Sequence, residues 1–193
     1  GDLERALAHR PEHLSCYILT IEPGTPLGRL RDAGRLRPAS DGRVAELFPQ
    51  TSELLTSRGY RHYEIANFAR CDTPDRPEEH ISRHNSKYWA GAPYLGFGPA
   101  AHSFLPPRRF WNRRSIGGYV EEARAGEAPT EGEEVLTAGQ LMTEAVMLGL
   151  RTAAGVDLAD FARRFGERAA QACADAAAPF VTQGLLTFDR TRC

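Results

Sequence analysis

Apolar and polar positions in the first part of the chain predict a strand, a helix and a second strand. The run His13 to Ile21 is short, β-branched and aromatic, and a turn rich in proline and glycine follows it. Apolar residues between Asp41 and Gly59 recur with helical spacing, although Pro49 lies inside that segment. Tyr60 to Phe68 alternates apolar with polar residues and predicts the second strand. This order is typical of a βαβ unit, so we expect a parallel sheet.

A glycine-rich region follows a polar, proline-containing surface loop at residues 72–79. Ser82 to Ala90 predicts a short helix that ends at Gly91. Tyr94 to Ser103 then predicts the end of an apolar strand that turns into a loop. Glycines in such a loop, among them Gly98, allow the backbone to approach a ligand closely.

The hydrophobic pattern becomes helical from Thr137 onward. Thr137 and Gln140 have the spacing of a capping box at the start of a first helix. A second helix is predicted between Asp157 and Gly166, and an alanine-rich third helix runs to about Gln183. The strand-like segment Leu185–Phe188 follows. Three helices and a short β element resemble a winged-helix-like module, so we expect a second, small domain here.

Composition and net charge limit the classes of protein to which this chain can belong. The chain has 193 residues, 41% of them hydrophobic and 25% charged, as is typical of a soluble globular protein. A net charge of −1 provides no overall attraction to nucleic acid or anionic lipid. No apolar run approaches the roughly 20 residues that span a bilayer, and the first residues lack the layout of a signal peptide. We therefore expect a cytoplasmic protein without a transmembrane segment.

The first residues of the chain are typical of a segment from inside a longer protein. The sequence begins without methionine, in a helix-like segment, Asp2 to His9, whose apolar positions need a partner surface. We interpret the chain as a fragment of a longer protein.

Its four cysteines are scattered without CxxC or other close spacing, which disfavours a zinc or iron–sulfur site formed by this chain alone.

Several sequence segments resemble one known family and occur in the same order. They are YILTIEPGTPL (Tyr17 to Leu27), GYRHYEIANFA (Gly59 to Ala69), RHNSKYW (Arg83 to Trp89) and YLGFGPAAHSF (Tyr94 to Phe104). Together they resemble the HemW and oxygen-independent coproporphyrinogen III oxidase-like family of radical S-adenosylmethionine (SAM) proteins. The resemblance implies an α/β fold: the C-terminal part of an incomplete TIM-like barrel, followed by a small helical, winged-helix-like domain.

The resemblance also implies a division of the chain and a missing half. We expect part of the barrel at residues 1–105, a basic and aromatic loop and linker at 106–133, and a C-terminal helical domain at 134–193. In the family, the first half of the barrel carries a CxxxCxxC-type motif for a [4Fe–4S] cluster that binds SAM. That motif is absent here. We therefore expect the cluster and SAM only in the full-length protein, and no catalysis by this chain alone.

The segment His84 to Trp89 is the main candidate site. In the family, HNxxYW is the motif linked to haem binding, so the resemblance makes His84 the ligand of haem iron, with Asn85 orienting its ring. Tyr88 lies one helical turn after His84, and Trp89 extends an aromatic wall suited to a flat porphyrin. The alternative interpretation is a partly buried, hydrogen-bonded histidine beside ordinary core aromatics.

Gly98 and His102 form a second candidate site. By resemblance they lie at the end of the barrel that faces SAM, where the backbone contacts this ligand. The alternative is that the glycine serves the geometry of a turn and that His102 caps a strand.

A third candidate site is the basic and aromatic patch around Arg108 and Arg109, which we place in a loop. Its guanidinium groups can bind the two propionates of a tetrapyrrole through paired hydrogen bonds, or stack on nucleic-acid bases together with Phe110 and Trp111. The alternative is a solvated loop with an aromatic side chain in the core.

These observations favour a haem-binding chaperone that delivers haem to acceptor proteins. The rival hypothesis is an oxygen-independent coproporphyrinogen III oxidase of porphyrin biosynthesis. A winged-helix nucleic-acid module is disfavoured, because the helix from Arg168 to Gln183 is mostly alanine and lacks the cluster of Lys and Arg that contact with phosphates needs. We expect haem or another tetrapyrrole and haem-acceptor proteins as partners, no nucleic acid, and a homodimer as a further option.

Overall fold

A computed structural model describes residues 1–73, 76 and 78–188. The chain divides into two compact units, Gly1–Ser82 and Arg83–Cys193. The three segments expected from the sequence have other bounds, 1–105, 106–133 and 134–193, and their role as domains stays a prediction.

The first unit contains a three-stranded sheet in the order β1-β3-β2. Its elements are α1 (Asp2–Leu7), β1 (His13–Ser15), α2 (Pro26–Asp32), α3 (Asp41–Ser57), β2 (Tyr60–Glu64) and β3 (Asn67–Arg70). The central strand β3 is antiparallel to both neighbours, so the expectation of a parallel sheet is wrong. The predicted second strand turns back at Ile65 and Ala66 and becomes a hairpin. β1 and β2 still run in the same direction, as in a βαβ unit, but β3 separates them.

Buried polar side chains explain the hairpin. Glu64 and Asn67 are each only 2% exposed. The Glu64 carboxylate accepts hydrogen bonds from the Ala66 amide at 3.0 Å and from Asn67 Nδ2 at 2.5 Å. Ser15 Oγ donates to Asn67 Oδ1 at 2.7 Å, which joins β1 to the turn. Hydrogen bonding of this kind allows a carboxylate and an amide to be buried without a large energetic cost.

The first predicted strand is shorter than expected, because β3 begins at Asn67, opposite Ser15. Residues after Cys16 lie past the start of that partner strand, and Tyr17 and Leu19 are 74% and 70% exposed. The core of the unit is formed by Leu55, Tyr60 and Phe68, with Leu7, Leu14 and Cys16 packed against them.

The second unit contains an antiparallel sheet in the order β4-β5-β6. Its elements are α4 (Arg83–Trp89), β4 (His102–Leu105), β5 (Arg108–Asn112), α5 (Ile116–Arg124), β6 (Thr130–Val135), α6 (Ala138–Leu150), α7 (Leu158–Phe165) and α8 (Glu167–Thr182). The loop expected at Arg108 and Arg109 is instead the central strand of this sheet. These arginines are accommodated in a strand because glutamates of β6 and α6 neutralise them.

The three C-terminal helices begin and end where the sequence predicts. Gln140 N donates to Thr137 Oγ1 at 3.3 Å and Thr137 N donates to Gln140 Oε1 at 2.8 Å, which confirms the capping box. Asp157 caps α7 through the Asp160 amide at 2.9 Å, and Gly166 ends it. Residues 185–188 form no strand and 189–193 lie outside the described residues, so the β element of a winged-helix-like module is not confirmed.

The helices pack around their own core. Its buried members are Val156, Phe161, Ala170 and Ala177, with side chains of α6 to α8 around them. Within the described ranges, no helix combines the length and the apolar composition needed to cross a membrane.

Candidate functional site

Helix α4 presents His84 and Tyr88 on one face, since they lie one turn apart. Their rings meet edge to face with centroids 5.1 Å apart. The helix ends at Gly91, whose φ of +63° favours glycine. His84 is exposed, and within the described part of the chain its ring nitrogens have no hydrogen-bond partner. The alternative of a buried, hydrogen-bonded histidine therefore does not describe His84.

Within the second unit, a continuous series of aromatic contacts leads from α4 to β4. Tyr88 contacts Tyr94 at 4.6 Å between ring centroids, and Tyr94 contacts Phe104 of β4 at 6.2 Å. Burial raises the pKa of the Tyr94 phenol above its usual value. The series connects the exposed imidazole of His84 with the buried ring of Phe104.

The second unit contains a cavity of about 490 Å³ beside these rings. Tyr88, Tyr94, Trp111 and His102 line it together with residues of α6. Its volume is within the range of roughly 300–1,000 Å³ that is common for small-molecule sites. Of the residues predicted for haem, Tyr88 and Arg109 line this cavity.

Asn85 and Trp89 of α4 were also predicted to contact haem, and their surroundings differ from those of His84 and Tyr88. Asn85 and Trp89 are both partly buried, and each has an interaction partner. Neither is among the residues that line the cavity. Their predicted contacts with haem, like that of His84, stay predictions.

Contacts within the protein explain why the loop between Tyr94 and His102 contains glycines. A Cβ atom at Gly96 would lie 2.2 Å from the carbonyl oxygen of His102. Gly98 has a φ of +101°, which side chains rarely adopt. Asn112 Nδ2 also donates to the carbonyl of Gly98 at 3.0 Å, which holds the loop in place. These contacts account for the glycines without a ligand, and the predicted SAM contact of Gly98 and His102 stays a prediction.

His102 lies at the start of β4 and is exposed. Its ring stacks on Trp111 of β5 at 5.6 Å between centroids and an interplanar angle of 29°. This stacking fixes the plane of the imidazole at the cavity wall.

Arg108 and Arg109 are both bound to carboxylates. Arg108 Nε donates to Glu133 at 2.9 Å, and both side chains of this pair are half exposed. Arg109 binds Glu144 of α6 with both terminal nitrogens, at 3.1 and 2.7 Å, and Glu134 of β6 at 3.1 Å. These bonds, first the one to Glu144, raise the pKa of Arg109. A propionate that contacts either arginine must therefore compete with a protein carboxylate.

Arg164 of α7 also lines the cavity, although no sequence pattern indicated it as a site residue. Its guanidinium lies 3.6 Å from Asp160, a carboxylate that Arg163 also contacts, and 4.9 Å from the centre of the Phe165 ring. A Cβ atom at Gly91 would lie 3.3 Å from Arg164 Nη2. The spacing of four residues between Asp160 and Arg164 is visible in the sequence. The proximity of Arg164 to the end of α4 is not.

The fold and the site define an α/β protein with a small C-terminal helical module and an aromatic-lined cavity beside it. Residues 136–193 match the model of the HemN C-terminal domain. A solved structure described as that of coproporphyrinogen III oxidase (HemN) from Escherichia coli, a radical SAM enzyme, has a similar fold. The two structures align with a TM-score of 0.68 and 17% sequence identity. The alignment covers 98% of this chain and 45% of the HemN chain. The expected fold class is confirmed.

Curated relatives agree with this assignment. "Heme chaperone HemW" of Synechocystis sp. is 38% identical over 81% of this chain and 37% of the relative. The protein of the same name in Mycobacterium tuberculosis is 33% identical over 85% of this chain and 40% of the relative. A mouse protein named "Radical S-adenosyl methionine domain-containing protein 1, mitochondrial" is 33% identical over 80% of this chain and 35% of the relative. The chain belongs to the HemW and HemN family, and it spans less than half the length of these relatives.

Proposed function

We propose that this protein binds haem and passes it to acceptor proteins. The observation that carries the proposal is the similarity to proteins named heme chaperones, at 38% and 33% identity over more than four fifths of the chain. The exposed imidazole of His84 supports it, because a histidine whose ring nitrogens are free of protein partners can coordinate iron. The edge contact with Tyr88 restricts the orientation of that ring.

The proposal also includes the cofactors of the family and two further residues of α4. The [4Fe–4S] cluster and SAM that the family resemblance implies are proposed to bind beyond these 193 residues, since the sequence has no CxxxCxxC spacing. Within the chain, Asn85 and Trp89 are proposed to support the imidazole and the porphyrin from the same helix.

Haem titration of the full-length protein tests this function. We expect haemin to give a histidine-ligated Soret band, and His84→Ala to weaken binding substantially. His9→Ala is the matched control, because His9 is also exposed but lies in the first unit. An unchanged spectrum and affinity in His84→Ala would remove His84 from the site.

Two further assays separate the chaperone from the oxidase. Haem-loaded protein is expected to transfer haem to an apo-acceptor such as apomyoglobin, followed as a change in the visible spectrum. Coproporphyrinogen with SAM under anaerobic reducing conditions is expected to be recovered unchanged. Robust decarboxylation in that assay would favour the oxidase.

A further inference from the structure

The cavity of the second unit has walls suited to a flat conjugated molecule. Tyr88, Tyr94 and Trp111 contribute aromatic rings from separate segments, and Leu141 and Leu148 of α6 contribute aliphatic surface. Flat apolar surfaces of this kind pack well against an extended ring system, and few polar groups are needed to orient it.

His102 supplies a coordinating group at this wall. Its ring is held in plane by Trp111. Among the described residues no donor or acceptor bonds its ring nitrogens, in contrast to His62, both of whose nitrogens are hydrogen-bonded. A neutral imidazole that is fixed in orientation and open at a nitrogen is a common ligand of haem iron.

The two arginines that line the cavity differ in how fully they are neutralised. Arg109 is bound to Glu144 and Glu134 by hydrogen bonds of 2.7 to 3.1 Å. Arg164 has only the 3.6 Å contact with Asp160, and across the described ranges its guanidinium makes no hydrogen bond. Arg164 is therefore the cavity cation with donors available for a ligand carboxylate.

We propose that this cavity binds a tetrapyrrole, with His102 coordinating its iron and Arg164 binding one of its propionates. The proposal rests on the haem-binding function above and adds a binding site to it. It assigns His102 to iron instead of SAM, and it moves the propionate contact from Arg108 and Arg109 to Arg164. His84 does not line the cavity, so its contact with haem is a separate one at the exposed surface of α4.

The test uses the full-length protein and three probes: haemin, iron-free protoporphyrin IX and haemin dimethyl ester. His102→Ala is expected to change the Soret band and weaken haemin, while protoporphyrin IX binds as to the wild type. Arg164→Gln is expected to weaken haemin and protoporphyrin IX by roughly tenfold, the typical value of a charge-assisted hydrogen bond, and to leave the ester unaffected. Arg168→Gln is the matched control, because Arg168 is also exposed but does not line the cavity.

Combined variants distinguish this inference from the proposed function. His84→Ala should retain a weaker histidine-ligated spectrum, which His84→Ala with His102→Ala loses. If His84→Ala alone removes all histidine ligation, or if His102→Ala and Arg164→Gln bind all three probes like the wild type, the cavity assignment is wrong and the haem-binding function stands. Absence of haemin binding to the wild type overturns both. Near-ultraviolet circular dichroism of each variant checks that the fold is retained.

Discussion

His62 of the first unit and the two histidines of the second unit have opposite surroundings. In the first unit, His62 Nε2 donates to the carbonyl of Ile65 at 3.1 Å, its Nδ1 lies 3.0 Å from Ser52 Oγ, and its ring stacks on Phe68 at 4.1 Å. In the second unit, His84 and His102 have ring contacts but no hydrogen bonds within the part of the chain described. A histidine whose nitrogens are satisfied stabilises the fold, whereas one whose nitrogens are open can bind a ligand.

A similar difference separates other polar side chains of the two units. Glu64 and Asn67 of the first unit bond one another inside the hairpin, where solvent does not reach them. The cavity of the second unit includes Arg164, a cation without a hydrogen bond to the described residues. We therefore expect substitutions in the first-unit core to reduce stability, and substitutions at His84 or His102 to reduce ligand binding alone.

The largest effect is expected for Phe68→Ala. This ring is 2% exposed and packs with Leu55 and Tyr60, so its removal leaves a cavity in the core. The free energy of unfolding should fall by about 3–5 kcal/mol in urea or thermal denaturation. Phe97→Ala is the control, since Phe97 is 86% exposed and its loss should change stability by about 0.5 kcal/mol or less. Equal losses in both variants would contradict the position of the core.

A smaller loss is expected for Asn67→Leu. The substitution removes the Asn67 donor to the buried Glu64 carboxylate and the Asn67 acceptor of Ser15 Oγ. The unfolding free energy should fall by about 1–3 kcal/mol, the usual cost of buried polar groups without partners. His84→Ala should change it by about 0.5 kcal/mol or less, because His84 is exposed. A larger loss of unfolding free energy in His84→Ala than in Asn67→Leu would contradict the assignment of Asn67 to the stability of the fold.

An intermediate case is Glu144→Gln in the second unit. Its carboxylate binds Arg109 with two hydrogen bonds, and both side chains are about one quarter exposed. We expect a loss of about 1–2 kcal/mol in the unfolding free energy. Glu133→Gln is the matched variant, because the pair with Arg108 is half exposed and should contribute about 1 kcal/mol or less. Indistinguishable unfolding curves for the two variants would show that burial does not strengthen the Arg109 pair.

The smallest effect is expected at the exposed carboxylate of Asp72. Hydrogen bonds from Arg70 and then from His80 hold the pKa of Asp72 well below its usual value. Because the folded-state pKa is depressed, the stabilisation is present above the unfolded-state pKa of about 3.9 and is lost as the pH falls through the folded value. Unfolding curves of the wild type and Asp72→Asn should therefore differ slightly at neutral pH and converge in acid. A difference that grows as the pH falls would contradict this sign.

Local patterns predicted the helix after Ser82 and the helices from Thr137 onward, but not α2, nor α5, which lies in the segment expected to be a linker. The helix after Ser82, the capping box at Thr137 and the caps at Asp157 and Gly166 depend on contacts within a few residues, which spacing in the sequence reveals. The extent of the strands was predicted less well, because it depends on partners far along the chain. β1 ends where β3 begins, at the pairing of Ser15 with Asn67.

The candidate site was predicted in part. The motif His84 to Trp89 was found from the resemblance, and its helix is confirmed. Arg108 and Arg109 were placed in a loop, whereas they lie in the central strand β5. Their partners Glu133 and Glu144 follow them at separations of 25 and 35 residues, so no local pattern reveals the neutralisation.

The sequence by itself determined the family, the C-terminal helices with their caps, and the candidate histidine His84. The tertiary structure decided which polar groups are satisfied and which are open. It brings His102 of β4, Tyr88 of α4 and Arg164 of α7 to one cavity, although they are distant in the chain. The physical reason is that caps and helical faces arise from contacts between near neighbours. Strand pairing, ion pairs and cavities arise only when distant segments pack together.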